Sequence, residues 1–152
     1  MLSIAEILSP EDILLDLDVP NKKRVFDEVG SRLDHRYGLS QAQIIDSLSA
    51  REKLGSTGLG QGVALPHARV KGLQQAVAAF VRLQLPIQFD APDGKPVSDI
   101  LVLLVPAQAA EQHLQVLATV AQMFCDNKFR DSLRKCVGAQ DVYKLFENWS
   151  PS

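Results

Sequence analysis

Cysteine is scarce in this 152-residue chain. The only two cysteines, Cys125 and Cys136, are separated by ten residues, and neither belongs to a CxxC pair or to a set with metal-ligand spacing. A disulfide-rich scaffold is therefore excluded. We expect both residues to be reduced thiols in a cytosolic protein, because that compartment disfavours a disulfide between them.

Long apolar runs and an excess of charge are also missing. No apolar run is long enough to span a bilayer, and the segment from Met1 to Glu6 lacks the basic start of a secretory signal. The net charge of −2 and the isoelectric point near 5.9 disfavour nucleic acid or an anionic membrane as the main partner. These absences predict a cytoplasmic protein with no membrane insertion and no nucleic-acid partner.

The remaining composition is that of an ordinary globular protein, with 46% hydrophobic and 22% charged residues. A chain of this length buries roughly 68–70% of its unfolded surface on folding, so it needs no disulfide or metal for stability. No repeat, low-complexity segment or linker divides it. Residues 1–152 are therefore predicted to form a single domain.

In some segments of the chain the apolar residues recur with the helical period, and in others they recur with the period of two that marks strands. Helices are predicted at residues 4–8, 21–37, 40 to about 51, 109–125, 131–136 and 140–149, the fifth and sixth being short. Strands are predicted at residues 12–19, 76–85, 87–89 and 99–106. The turn signal Asp93-Gly94 adds antiparallel pairing. We therefore predict the α/β class, with a mixed sheet covered by helices. Four acidic residues are predicted to lie in solvent or to cap helices: Glu11, Asp12, Asp16 and Asp18.

The most informative segment runs from Arg51 to Arg69 and places a glycine run directly before His67. Glycine lets the backbone approach a ligand closely, and successive backbone N–H groups can surround phosphoryl oxygens. Pro66 restricts its own backbone and that of the preceding residue, so His67 is presented at a defined point on a loop. The residues predicted to form this phosphate loop are Gly55, Ser56, Thr57, Gly58, Gly60 and Gly62.

His67 is the candidate nucleophile. A neutral imidazole carries one nucleophilic nitrogen, which is sufficient to accept a phosphoryl group when charge-neutralising groups are aligned with it. Arg51 is the candidate partner for the phosphoryl oxygens, because a guanidinium can donate to two of them. A loop histidine that makes one local hydrogen bond is equally consistent with the residues alone.

His113 is a second candidate. It occupies the first turns of the predicted helix at 109–125, which directly follows the apolar strand ending at Pro106. Ligands of α/β sheets tend to bind beyond the carboxyl ends of strands, and helix N-termini favour anions. His113 is thus placed to contact a group that is bound to His67. A half-buried histidine bonded to a backbone carbonyl fits the same spacing.

The spacing of the residues excludes several other classes of catalytic or binding site. The sequence contains no GxxxxGK[ST] nucleotide loop, no GxGxxG, no GxSxG elbow and no HExxH zinc motif. We therefore expect no cofactor and no metal site.

The segment from Gly55 to Arg69 resembles the signature of the fructose/mannitol-type enzyme IIA domains of the bacterial phosphotransferase system. The residues from Arg51 to Leu54, from Pro86 to Asp93 and from His113 to Leu117 fit as well, so the resemblance covers nearly the whole chain. Within that family, the Ser56-Thr57 pair and the absence of fused phosphocarrier or permease domains favour the nitrogen-regulatory branch.

The resemblance implies a mixed sheet of about five strands with helices on both faces. It implies that His67 accepts a phosphoryl group from a histidine phosphocarrier protein, that His113 stabilises the phosphohistidine, and that Arg51 neutralises phosphoryl charge. It also implies regulatory partners, including regulators of potassium uptake and of nitrogen or stress responses. A sugar-specific domain that passes phosphate to a IIB partner is the alternative within the family. A non-enzymatic module that binds an anion is the alternative outside it.

Overall fold

The computed structural model describes residues 2–151. They form six strands, which make up one sheet, and six helices. The helices are α1 (Ile4–Ile7), α2 (Lys22–Tyr37), α3 (Gln41–Lys53), α4 (Glu111–Cys125), α5 (Asn127–Lys135) and α6 (Ala139–Asn148). The strands are β1 (Leu8–Leu17), β2 (Gly58–Gly60), β3 (Val63–Ala64), β4 (His67–Val70), β5 (Val77–Ile87) and β6 (Val97–Pro106).

The strands form a mixed sheet in the order β1-β5-β6-β3-β2, and β4 also pairs with β6. β1 is parallel to β5, β5 is antiparallel to β6, and β6 is parallel to both β3 and β4. The predicted α/β class, with helices on both faces, is confirmed. The sheet has six strands rather than about five, because the glycine-rich segment contributes the short strands β2 and β3.

Alternation along β6 divides the core into two layers, since successive side chains of a strand point to opposite faces. Ile100, Val102 and Leu104 pack with the buried residues of α2 and α3. Leu101 and Leu103 pack on the other face with residues of α1, α4, α5 and α6. The run from residue 100 to 106 is apolar because both faces of β6 are covered.

The boundaries of α2 follow the sequence signals. The side chain of Asn21 accepts a hydrogen bond from the N–H of Arg24 at 3.0 Å, and Gly38 ends the helix in the left-handed conformation with φ of 70°. The residues from Ser40 to Gln43 have the pattern of a capping box at the start of α3, but only half of it forms. The Ser40 hydroxyl accepts from the N–H of Gln43, but the Gln43 amide donates to the carbonyl of Lys71 instead of returning to Ser40.

Three elements differ from the prediction in length. β1 begins at Leu8 and passes through Pro10; it pairs only with β5 in the described chain, and an edge strand tolerates a residue without an N–H. β5 likewise continues through Pro86, next to a break in the register with β6. α5 begins at Asn127, four residues early, because Asp126 caps it. α2 and α4 are predicted with equal lengths, and α2 has 16 residues whereas α4 has 15.

The prediction that Asp12 lies in solvent is wrong. Its side chain is fully buried and accepts hydrogen bonds from the Arg36 Nε, at 3.0 Å, and from the Tyr37 hydroxyl. Burial first and the Asp12 hydrogen bond second raise the pKa of Tyr37 above its ordinary value. The carboxylate therefore joins β1 to the last turn of α2, a long-range contact that local patterning does not indicate.

Cys125 and Cys136 are both free, as predicted. Among residues 2–151, no helix combines the length and the apolar character that crossing a membrane requires.

Truncation of Leu104 tests the sheet core. Leu104 is fully buried, whereas 67% of Leu85, on the same hairpin, is exposed. We expect Leu104→Ala to lower the free energy of unfolding by about 2–5 kcal/mol through lost burial and a residual cavity. Leu85→Ala is expected to change it by less than about 0.5 kcal/mol. Urea denaturation of both variants measures the difference, and equal losses would contradict the layer assignment.

Asp126 and Trp149 give a pH-dependent prediction. The Trp149 indole N–H donates to the Asp126 carboxylate at 3.0 Å. This bond, with the backbone N–H groups of Phe129 and Lys128, lowers the pKa of Asp126 below its ordinary 3.8. The resulting stabilisation is present above the ordinary pKa and is lost as the pH falls through the lowered one. We expect Trp149→Phe to raise the Asp126 pKa in an NMR titration of side-chain carboxyl carbons. An unchanged pKa would rule out the indole as its main cause.

Candidate functional site

The short strand β4 positions the first residues of the site. His67 lies opposite Leu103 of β6 and Arg69 lies opposite Val105. His67 and Arg69 are two residues apart, so their side chains leave the same face of the strand, while the intervening Ala68 is buried in the layer of α2 and α3. His67 is therefore the first residue of a strand and not part of a loop, contrary to the prediction.

A cavity of about 560 Å³ opens at this edge of the sheet. β4 and β6 contribute its floor, the last turns of α3 contribute one wall, and the first turns of α4 contribute the other. Its lining residues are Ser47, Ala50, Arg51, Leu54, His67, Ala68, Arg69, Leu103, Val105, His113, Leu114 and Leu117. The structure thus brings together His67, His113 and Arg51, although they are far apart in sequence.

The ring of His67 is oriented by a backbone carbonyl two residues before it in the chain. Its Nδ1 lies 2.8 Å from the carbonyl oxygen of Leu65. A carbonyl only accepts hydrogen bonds, so Nδ1 carries the proton in the neutral ring and Nε2 keeps its lone pair. The local hydrogen bond that the sequence left as an alternative is therefore present, and it leaves the nucleophilic nitrogen free.

His113 is held by a bond of the opposite polarity. The backbone N–H of Ala110, at the start of α4, donates to the Nδ1 of His113 at 2.9 Å. Because Nδ1 accepts, the proton of the neutral ring lies on Nε2. His113 therefore offers an N–H donor where His67 offers a lone pair.

Arg51 reaches the cavity from the last turn of α3. Its Nη1 donates to the carbonyl of Gly55 at 2.9 Å. Within residues 2–151, this is the single hydrogen bond of its guanidinium, and the side chain is half-buried. The remaining N–H groups are therefore available to an anion, which is the role expected of Arg51 from its sequence position.

The lining of the cavity carries two guanidinium groups and two imidazoles, and none of its residues is acidic. Such a site favours a group with two negative charges, because neither arginine is paired with a carboxylate among residues 2–151. Among residues 2–151, no three His, Cys, Asp or Glu side chains are grouped to hold a metal ion. The chemistry that the arrangement supports is anion binding beside an unprotonated imidazole nitrogen.

Ser56 and Thr57, predicted to donate to the phosphoryl group, do not line the cavity. The Ser56 hydroxyl donates to the carbonyl of Phe89 at 2.6 Å. The Thr57 hydroxyl and backbone N–H both donate to the carboxylate of Glu52. Their hydrogen-bonding groups are used within the protein, and the geometry gives no support to the predicted contacts.

The glycines of the predicted phosphate loop do not line the cavity either. Gly58 is needed for close packing, since an added Cβ would lie 2.9 Å from the Cβ of Ala91. Gly60 has φ of 85°, a conformation that favours glycine, and Gly62 lies beside Arg134. Gly55 acts on the cavity indirectly, because its carbonyl accepts a hydrogen bond from Arg51, which is a lining residue. The run shapes the path to β4, and its contacts with a phosphoryl group stay a prediction.

Three further residues line the cavity although no sequence pattern predicted them there: Arg69, Leu54 and Leu114. Two are apolar and well exposed, with 85% of Leu54 and 52% of Leu114 accessible. The helical spacing of Leu114 from Leu117 and Phe124 predicts that it faces the core, and its exposure contradicts this. The signal that could have found Arg69 is the period of two along a strand that begins at His67. No local pattern distinguishes the two leucines.

Comparison with known proteins identifies the family. The model of the family described as "Phosphoenolpyruvate-dependent sugar phosphotransferase system, EIIA 2" matches residues 6–149. The chain belongs to that family. This enzyme IIA domain is 40% identical over 146 residues to the nitrogen regulatory protein of Pseudomonas aeruginosa, and the alignment covers 95% of each protein.

Solved structures agree with this assignment. The crystal structure of nitrogen regulatory protein IIA-Ntr from Neisseria meningitidis matches with a TM-score of 0.90 and 50% identity, over 94% of this chain and 98% of that one. The mannitol enzyme IIA in a complex with phosphorylated enzyme IIB from Escherichia coli matches with a TM-score of 0.76 and 17% identity, over 94% and 100%. At that identity, the second likeness concerns the fold alone.

The two imidazoles are predicted to be opposite tautomers in their neutral forms. Long-range ¹H–¹⁵N NMR correlations of the ring nitrogens are expected to show His67 protonated at Nδ1 and His113 protonated at Nε2. His35, exposed in the last turn of α2, serves as the internal reference. Finding the proton of His67 on Nε2 would contradict the hydrogen bond to Leu65.

Proposed function

We propose that this enzyme IIA domain is a phosphorelay protein that accepts a phosphoryl group on Nε2 of His67 from a histidine phosphocarrier protein. The observation that carries the proposal is the hydrogen bond between Nδ1 and the Leu65 carbonyl, which leaves Nε2 unprotonated in a cavity without carboxylates. The family supports it, since enzyme IIA proteins belong to a phosphotransferase system. The protein acts as a covalent carrier that is phosphorylated and then discharged.

The transfer is an in-line displacement at phosphorus. The Nε2 lone pair of His67 forms the new N–P bond while the N–P bond of the donor breaks, and its electron pair stays on the donor nitrogen. No proton has to leave His67, because its N–H is on Nδ1. The positive charge that the ring gains is stabilised by the Leu65 carbonyl, which accepts that N–H.

His113 and Arg51 support the phosphoryl oxygens. The Nε2–H of His113 donates one hydrogen bond, and the free N–H groups of Arg51 neutralise charge. Arg69 adds a second guanidinium to the same cavity. These groups are positioned before the donor arrives, so little reorganisation is needed during transfer.

The phosphocarrier docks over the cavity. Exposed leucines beside a charged site are typical of a protein-binding surface, since apolar contacts supply affinity around a polar centre. Leu54 and Leu114 provide them on either side of the cavity.

The output is regulatory, in the nitrogen-regulatory branch of the family and in the cytoplasm. Support comes from the relatives named nitrogen regulatory protein, at 40% and 50% identity. Phosphorylation adds about two negative charges to a cationic cavity. A partner that places acidic residues there, such as a regulator of potassium uptake, is then repelled without any large conformational change.

Transfer to a IIB domain for sugar uptake is the second candidate, favoured by the fold shared with the mannitol enzyme IIA. Phosphoryl transfer from the labelled protein to a sugar-specific IIB domain would establish it. Failure with the IIB domains of the same organism favours the regulatory role.

Incubation with a ³²P-labelled phosphocarrier protein tests the relay. We expect an acid-labile, base-stable label on the wild-type protein, none on His67→Ala, and slower labelling of His113→Ala because a donor to the phosphoryl group is lost. His35→Ala, at an exposed histidine, is the matched control and should label like the wild type. Equal labelling of His67→Ala would refute the proposal, and reversible phosphate binding without label would indicate an anion-binding module.

A further inference from the structure

Glu52 follows Arg51 in α3 but does not line the cavity. Only 6% of its side chain is exposed, and its carboxylate accepts several hydrogen bonds. Lys22 Nζ donates to it at 2.7 Å, the Thr57 N–H donates at 3.1 Å, and the Thr57 hydroxyl donates as well. A buried carboxylate with this many partners holds its neighbours in fixed positions.

The groups that Glu52 joins are the end of α3 and the segment that leaves it. Thr57 belongs to residues 54–57, which connect α3 to β2. Gly55 lies in the same four residues, and its N–H donates to the backbone carbonyl of Glu52 at 3.2 Å. The bonds from Thr57 to the Glu52 carboxylate therefore close a loop around Gly55.

The carbonyl of Gly55 is the group that holds the guanidinium of Arg51. An arginine side chain loses rotamer entropy when it is ordered, so an acceptor is needed to hold it in one position. The guanidinium of Arg51 makes no other hydrogen bond in the described chain, so the position of this carbonyl decides where the guanidinium lies.

A second anchor keeps the loop in place. The Ser56 hydroxyl and Lys22 Nζ both donate to the carbonyl of Phe89, at 2.6 and 3.1 Å. Lys22 also lies over the Phe89 ring, 4.3 Å from its centroid. Lys22 is thus the common donor that connects the Glu52 carboxylate to the segment after β5.

We propose that Glu52 is a positioning residue for phosphoryl transfer. Its carboxylate, held by Lys22, fixes residues 54–57 so that the Gly55 carbonyl directs Arg51 into the cavity. The inference rests on the proposed function of Arg51 and adds that Glu52 acts through Arg51, without touching the phosphoryl group. It also gives the Ser56-Thr57 pair a role, as ligands of the anchor and not of the phosphate.

A double-mutant cycle tests this coupling in the full-length chain. The transfer rate from the phosphorylated phosphocarrier is measured for wild type, Glu52→Gln, Arg51→Ala and the double variant. We expect Glu52→Gln to slow transfer about tenfold in the wild type but less than about twofold in the Arg51→Ala background. An unchanged rate for Glu52→Gln, or equal slowing in both backgrounds, would overturn the inference.

Matched variants separate positioning from general damage. Glu11→Gln removes a carboxylate whose side chain is 61% exposed and paired with Arg36, and it should transfer at the wild-type rate. If Glu52→Gln fails to fold, Thr57→Val and Thr57→Ser replace it. Valine loses the hydroxyl that donates to Glu52, while serine keeps it, so only valine should slow transfer. Equal rates for these two variants would overturn the inference.

A readout that needs no phosphoryl transfer separates this inference from the proposed function. The ¹⁵N relaxation of the Arg51 Nε–H reports the order of the guanidinium. We expect its order parameter to fall in Glu52→Gln, while that of Arg36, held by Asp12, stays unchanged. An Arg51 as ordered as in the wild type would overturn the positioning role, whatever the labelling of His67 shows.

Discussion

The parallel pairing of β4 with β6 is the interaction on which the cavity depends. It places His67 and Arg69 beside Leu103 and Val105, with one edge of β4 open within the described chain. α3 packs on one face of the sheet and α4 on the other. Their ends can approach each other only beyond that open edge, which is why residues from both layers line a single cavity.

Main-chain groups hold both imidazoles, and they do so with opposite polarity. The Leu65 carbonyl accepts from His67, whereas the Ala110 N–H donates to His113. One ring consequently faces the cavity with a lone pair and the other with a proton. This asymmetry would give two chemically identical side chains different roles.

The sequence predicted those features that local physics determines. Asn21 and Gly38 delimit α2 through their own side chain or backbone conformation, and the apolar run of β6 indicated a strand covered on both faces. Tertiary contacts decided the rest. The glycine run suggested a phosphate cradle, but Gly58 is there because Ala91 packs against it. The burial of Asp12 likewise depends on Arg36, a partner 24 positions away.

The bond between His67 and Leu65 has a consequence for how the protein can change. It uses an atom that every amino acid possesses, so replacing the side chain at position 65 leaves the acceptor in place. The tautomer of the neutral His67 ring is therefore protected from most point substitutions around the site. Only a change in the path of the backbone, such as the loss of Pro66, would alter it. The side chains that line the cavity can vary while the ring nitrogen that carries the proton stays the same.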